Sequence, residues 1–275
     1  MSKNFRQLLI FILTIWVIIC LAVCAAGGIG VPAVYAREHP FWAAQGLGQD
    51  WVDLLFAAPL LAVAAYFTLR RSRVFTFVLA GTLAYTLYSL VLYAFFMHFG
   101  PLFLAYTGGL GLAFYALVIL VGDLRADSVK GWFTADAPST FAGVVAVVLG
   151  CAFCVLWLAE VLPALLSGAS LKSAADAGLI TNPVQVLDLG IVLPAFIVSG
   201  VALVRRRPLG YWLAPTLLGF GIVMDVALIG MSVSIRTTGA GTEGAPMAPL
   251  VVMLVLSAAA LAGMLRRLRR DGAAA

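Results

Sequence analysis

The sequence predicts an all-α polytopic membrane protein of eight transmembrane helices, with both termini in the cytoplasm. Three observations carry that expectation. The 275 residues are 63% hydrophobic and 11% charged, with a mean hydropathy of +1.08, which exceeds what one globular core can hide. The apolar residues fall into eight runs, each long enough to cross about 30 Å of hydrocarbon at about 1.5 Å per residue. Finally, 14 of the 17 Lys and Arg residues occupy every second gap between those runs. They are Lys3 and Arg6; Arg70, Arg71 and Arg73; Arg125 and Lys130; Arg205, Arg206 and Arg207; and Arg266, Arg267, Arg269 and Arg270. The other gaps hold only Arg37, Lys172 and Arg236. Short loops rich in Lys and Arg stay cytoplasmic, because moving a cation outward is costly and the membrane potential opposes it.

The expected spans are 7–27, 51–69, 74–97, 102–122, 141–166, 185–204, 209–233 and 247–265. The first follows Lys3 and Arg6 in the manner of a secretory signal, and Leu21-Ala22-Val23-Cys24 approaches a lipoprotein cleavage site. Its apolar run is longer than a signal core, and Val23 is large for that site, so a retained helix is predicted. Residues 32–50, with Pro32, Pro40, Phe41 and Trp42, read as an interfacial segment before the second span. The short Gly100-Pro101 turn makes spans three and four antiparallel neighbours. In the polar segment 123–140, Trp132 and Phe133 are placed to anchor at headgroup level. Spans five to eight follow the same alternation of basic and basic-poor gaps. No loop is long enough for a separate soluble domain.

A repeat is visible at an offset of 135 residues. Asp53, Pro59 and Arg70-Arg71 match Asp188, Pro194 and Arg205-Arg206, and 53–73 laid over 188–208 shares six identities in 21 positions. The chain therefore reads as one transmembrane domain of two parallel four-helix halves, 1–135 and 136–275, related by an axis along the membrane normal. Topology by itself would also place the terminal arginines.

On this threading the cytoplasmic segments carry 14 basic and 4 acidic residues, and the outer half carries 3 basic and 8 acidic. Partners are thus the lipid bilayer, with anionic lipid at the cytoplasmic Arg clusters, and no nucleic acid. A homo-oligomer and a hetero-oligomer both stay open.

The outer half collects the candidate binding residues. Asp53 and Asp188 begin spans two and six, Glu160 lies about two turns inside span five, and Asp225 is near the middle of span seven. A carboxylate at that depth costs about 2.5–3.5 kcal/mol on an insertion scale, so it should face the bundle or a wet cavity. The plain alternatives are helix-dipole partners for Asp53 and Asp188, a snorkelling Glu160, and a structural hydrogen bond that Asp225 accepts from a span-three tyrosine. His98, at the outer end of span three, could join a cation site or simply cap its helix. Span three presents Thr82, Tyr85, Thr86, Ser89 and Tyr93 on one face, either lining a cavity or bonding to other helices. Cys20 and Cys24 on span one, and the C-x-x-C of Cys151 and Cys154 on span five, are redox or copper(I) candidates, with packing as the alternative. Gly108, Gly109 and Gly111 read as a close-packing surface.

Several chemistries are excluded. A bis-histidine haem needs two membrane histidines, a retinal Schiff base needs a lysine within a span, and neither requirement is met. Walker loop, dinucleotide fingerprint and G-x-S-x-G elbow are missing from the sequence. No cofactor is called for.

Gly48-Gln49-Asp50-Trp51-Val52-Asp53-Leu54-Leu55, Asn182-Pro183-Val184-Gln185-Val186-Leu187-Asp188-Leu189 and Arg205-Arg206-Arg207-Pro208-Leu209-Gly210-Tyr211 resemble recurring phrases in a family of uncharacterised bacterial inner-membrane proteins of about eight helices. The resemblance covers spans two and six and the start of seven. It implies a bacterial cytoplasmic-membrane location and transfers no functional residue. The leading expectation is a small transporter or permease-like protein whose outer-facing polar cavity binds a cation or proton. A membrane enzyme or redox protein acting on lipid or quinone, and a non-catalytic assembly or sensory partner, are the alternatives.

Overall fold

A computed structural model describes residues 3–123, 126–241 and 246–269. Arg125 and Arg270 of the basic groups lie outside them. Among the described residues the chain is all-α, with eight helices long and apolar enough to cross a membrane. They are α1 (Lys3–Gly30), α2 (Pro40–Leu69), α3 (Arg73–Phe96), α4 (Phe103–Asp123), α5 (Ser139–Ser167), α6 (Pro183–Val204), α7 (Pro208–Thr238) and α8 (Met247–Leu265). Short helical turns at Pro32–Val34, Ala126–Lys130 and Lys172–Asp176 join them.

Proline shapes α2 and α6 in the same way. Pro59 lacks an N–H, and its ring would meet the carbonyl one turn back in a regular helix. The chain answers with one wide π turn at Asp53–Ala57, closed by the Ala58 N–H on the Asp53 carbonyl. Pro194 is preceded by the matching turn at Asp188–Val192, closed by Leu193 on Asp188. Each helix then ends on an arginine in the left-handed region, Arg71 at φ 65° and Arg206 at φ 53°. The residue after it bonds back over the cap, Ser72 N–H to Phe67 O at 3.0 Å and Arg207 N–H to Ala202 O at 2.8 Å. That is the hydrogen-bond pattern of a Schellman cap, here without the usual glycine.

α1 packs on α2 and α4, and α3 packs on the same two; α5 packs on α6 and α8, and α7 packs on those two. The two sets meet where α7 crosses α2 and α3. Glycines permit both crossings. A Cβ on Gly48 would stand 2.5 Å from Gly230 O, and one on Gly81 would stand 2.8 Å from Gly219 C. Small residues let helix backbones approach, and van der Waals contact then holds them where lipid supplies no hydrophobic drive. Of the α4 glycines, only Gly109 is close-packed, against Leu90 and Cys20; Gly108 and Gly111 face open space. The close-packing surface read from the sequence is therefore a single point.

The outside of the bundle is apolar. On α1, Phe5, Leu8, Ile12, Trp16, Ile19 and Val23 form an exposed stripe, while Ile10, Val17, Leu21 and Cys24 face inward. Exposed Val144, Val148, Val155 and Leu162 continue that surface on α5. Such faces fit contact with a lipid bilayer.

Two expectations for the connections are corrected. Residues 40–50 are helical and belong to α2, whose first turn is opened by Pro40. Proline is well suited to that position, since its missing N–H would be unbonded there anyway. Phe133 is buried rather than anchored at a surface. Its ring packs 5.7 Å from Phe77 and 5.4 Å from Tyr211. Backbone bonds from Thr134 N to Arg267 O at 2.9 Å and from Arg269 N to Trp132 O at 2.8 Å tie this strap to the end of α8. Asn4, Arg71, Arg73, Lys130, Arg267 and Arg269 thus share one end of the bundle, with Arg71 donating to Asn4 and Arg73 to the Arg269 carbonyl.

Candidate functional site

At the other end, a partly open cavity of about 500 Å³ lies between α2, α3, α5, α6, α7 and α8, capped by residues 173–184. It reaches down to Gly150, Phe196, Phe220 and Ser257, near the middle of their helices. Its wall is mostly aromatic, aliphatic and methionine side chains, where the sequence suggested a polar one.

Of the sequence candidates, Asp188, Asp225, Ser89 and Tyr93 line this cavity. Asp188 is held on both oxygens: Trp157 Nε1 donates to Oδ2 at 2.8 Å, and the Tyr88 hydroxyl to Oδ1 at 3.1 Å. Asp225 differs. It is 4% exposed, and among the described residues no hydrogen bond or ion pair reaches its carboxylate. The tyrosines of α3 that could have served it are committed elsewhere. Tyr85 donates to Asp53 Oδ1 at 2.8 Å, Tyr88 to Asp188, and Tyr93 to Asp50 Oδ1 at 2.9 Å. Thr82 and Thr86 bond back to Val78 O and Thr82 O within α3, so that part of the stripe serves its own helix.

Asp53 is fully buried behind the cavity wall. Because α2 starts at Pro40, Asp53 is a mid-helix residue at the π turn, and the first-turn dipole role is ruled out for it. Its Oδ2 and the Nε2 of Gln49, one turn earlier, are buried without a well-formed hydrogen bond, as is Ser89 Oγ, although Gln49 donates toward Asp53 and Ser89 toward Tyr85 at looser geometry. Gln49 and Ser89 also reach the cavity, so this polar row runs from the cavity toward Asp53. Buried groups of this kind are commonly satisfied by ordered water.

Asp50 was missed. With 40–50 read as an interfacial segment, nothing placed it on a helix face with Asp53, three residues on. It is buried and accepts from Tyr93 and from Tyr35. Gly28 makes room for it, since any Cβ there would collide with Asp50 Oδ2. Burial, and then the Asp50 charge, push the Tyr35 phenol well above its ordinary value, keeping it a donor. Tyr88 and Trp157 were also missed, although Trp157 stands one helical turn from Glu160.

Glu160, His98 and the cysteines lie off the cavity. Glu160 accepts from Ser173 N at 2.8 Å and Gln185 Nε2 at 2.6 Å, fastening the 168–183 connection to α5. His98 is joined to Glu38, with Nδ1 at 3.0 Å and its backbone N–H at 2.8 Å from one carboxylate oxygen. Among the described residues, no three or more His, Cys, Asp and Glu side chains are grouped so as to hold a metal ion. All four thiols are free: Cys24 is buried, Cys20 and Cys154 are half-buried, and Cys151 is exposed.

Compared with known proteins, the chain matches no family model, no curated protein and no solved structure.

Proposed function

We propose that this chain is a small membrane carrier whose cavity binds a proton or a cation at Asp225. The observation behind it is an aspartate only 4% exposed, on the wall of an open volume, with no hydrogen-bond donor to its carboxylate among the described residues. Such a group is stabilised by taking a proton or a cation, and intramembrane acids of this kind mark ion and substrate routes. Asp188, already satisfied by Trp157 and Tyr88, acts as a fixed negative part of the same cavity wall.

Further parts of the reading come with it. The arginine end faces the cytoplasm of a bacterial cell and contacts anionic lipid, so the cavity opens outward. The two halves arose by duplication. In support stand the paired π turns after Asp53 and Asp188, the paired left-handed arginines, and the same neighbour order in both helix sets. At the offset of 135, Asp225 corresponds to fully buried Leu90, so the first half is filled where the second is hollow. An experimental structure with a different helix order in residues 136–270 than in 1–135 would refute the duplication.

Proton movement in proteoliposomes carrying an internal pH dye tests the carrier reading. Under an imposed potential, the wild type should move protons or a coupled cation, and Asp225→Asn should not. Equal flux from the two proteins, or flux from neither, defeats the proposal.

A further inference from the structure

Resting on the cavity being the site of function, we infer that its ligand is a hydrophobic organic monocation, a lipophilic amine or onium ion, paired with Asp225, the lining carboxylate that has no hydrogen-bond or ion-pair partner among the described residues.

The size of the space comes first. Pockets of about 300–1,000 Å³ enclose small organic molecules, and this one measures about 500 Å³. A proton or an inorganic ion would leave nearly all of it vacant.

Ligand count comes next. Hard cations ask for six or more oxygens. Asp225 supplies one carboxylate; the oxygens of Asp188 are engaged by Tyr88 and Trp157, Asp176 is paired with Lys172, and the other polar groups of the lining are neutral hydroxyls and amides. That set is too poor for a bare metal ion but sufficient for one organic cation, whose charge is spread and whose hydration is weak.

The walls agree with this. Phe220 packs edge-on against Tyr88 at 5.8 Å and against Phe196 at 6.3 Å, so three rings form a connected aromatic surface in the cavity that Asp225 also lines. Aromatic faces attract cations by their quadrupole, most strongly when water is excluded. Met224, next to Asp225, adds a polarisable side chain that adapts to ligand shape. A neutral apolar ligand would leave Asp225 without a partner, and an anion would be repelled by both acids.

Proton and ligand then claim one carboxylate. The other titratable groups facing the cavity are Asp188 on α6, Asp176 in the cap, and Tyr88 and Tyr93 on α3; the lining residues of α2, α5 and α8 include none.

The test is equilibrium binding of tetraphenylphosphonium to the full chain in non-ionic detergent, beside triphenylphosphine oxide, a neutral molecule of similar bulk. We expect one phosphonium site, at least about tenfold tighter than the oxide. Its affinity should fall as the pH is lowered. Asp225→Asn should weaken the phosphonium by about tenfold or more and remove that pH dependence. The ratio of the two probes and the wild-type pH profile need no variant, so they decide the matter even if Asp225→Asn does not fold. The inference is overturned if the oxide binds as tightly as the phosphonium, or if wild-type binding ignores pH. It is equally overturned if a folded Asp225→Asn protein binds the phosphonium unchanged. Asp225-dependent proton flux without phosphonium binding would keep the carrier reading and sink this one. Phosphonium binding without any flux would do the reverse.

Discussion

Tyr88 and Asp188 join the two halves of the chain at the cavity wall, the phenol donating to Oδ1 at 3.1 Å. Trp157 occupies the other oxygen at 2.8 Å. Asp225, on the same cavity, has no such partner among the described residues, so one cavity holds a hydrogen-bonded acid and one without a donor.

Removing either donor should therefore be a stability experiment. Tyr88→Phe and Trp157→Phe each leave one oxygen of a buried carboxylate without its donor. The loss should be about 1–2 kcal/mol on a water-soluble scale, nearer 0.6 if membrane averages hold. Thermal melting in detergent reads it. Melting curves unchanged in both variants would mean that Asp188 is held some other way.

Glycine substitutions separate contact from open space. Gly81→Ala drives a methyl against α7 backbone atoms 2.8 Å away, and Gly48→Ala meets Gly230 O at 2.5 Å. Backbone cannot rotate aside as a flexible side chain can, so each should cost about 1–3 kcal/mol. Gly108→Ala, with nothing within 4 Å, should be neutral in the same melt. Three indistinguishable variants would contradict the α2–α7 and α3–α7 crossings.

The strap beneath the arginine end offers a third measurement. Phe133→Ala removes a ring that is 4% exposed and should cost about 3 kcal/mol. Asp136, 2.6 Å from Arg267, is exposed, and Asp136→Asn should change the melting point little. The Asp136 carboxyl is held below the usual carboxylate range, chiefly by a Thr134 hydrogen bond and also by Arg267. Its small contribution is therefore present above the unfolded carboxylate pKa and is lost progressively as pH falls from there through the lower folded one. A melting difference between the wild type and Asp136→Asn that grows as the pH is lowered would contradict this.

Orientation is tested by impermeant thiol labelling of intact cells, in a background lacking the four native cysteines. Cysteines at Ser72 and Ser128 should stay silent. One at Ser170, in the capped connection, or at Thr242, which is outside the described residues, should react. Labelling at Ser72 would invert the proposed threading.

How much of this was legible in the sequence follows from what acts along the chain. Eight apolar runs became eight long helices because length and hydropathy are local properties. The spacings Asp53–Pro59 and Asp188–Pro194 show in the sequence only as a repeat; the π turn before each proline emerged with the structure, although its cause, a missing N–H acting one turn away, is local. The start of α2 was misplaced, since Gln45, Gln49 and Asp50 lower the hydropathy of a segment that is nevertheless helical and partly buried; that hid Asp50. Which acid has partners depended on residues distant in the chain. Tyr88 lies 100 positions from Asp188, and Trp157 lies 31 away. Charge type and depth singled out Asp225 in the sequence, but only the packing of α3, α5, α6 and α7 decided that every nearby tyrosine would serve another carboxylate. Hydrogen bonds between helices are settled by where side chains meet in space, and hydropathy along the chain carries no record of those meetings.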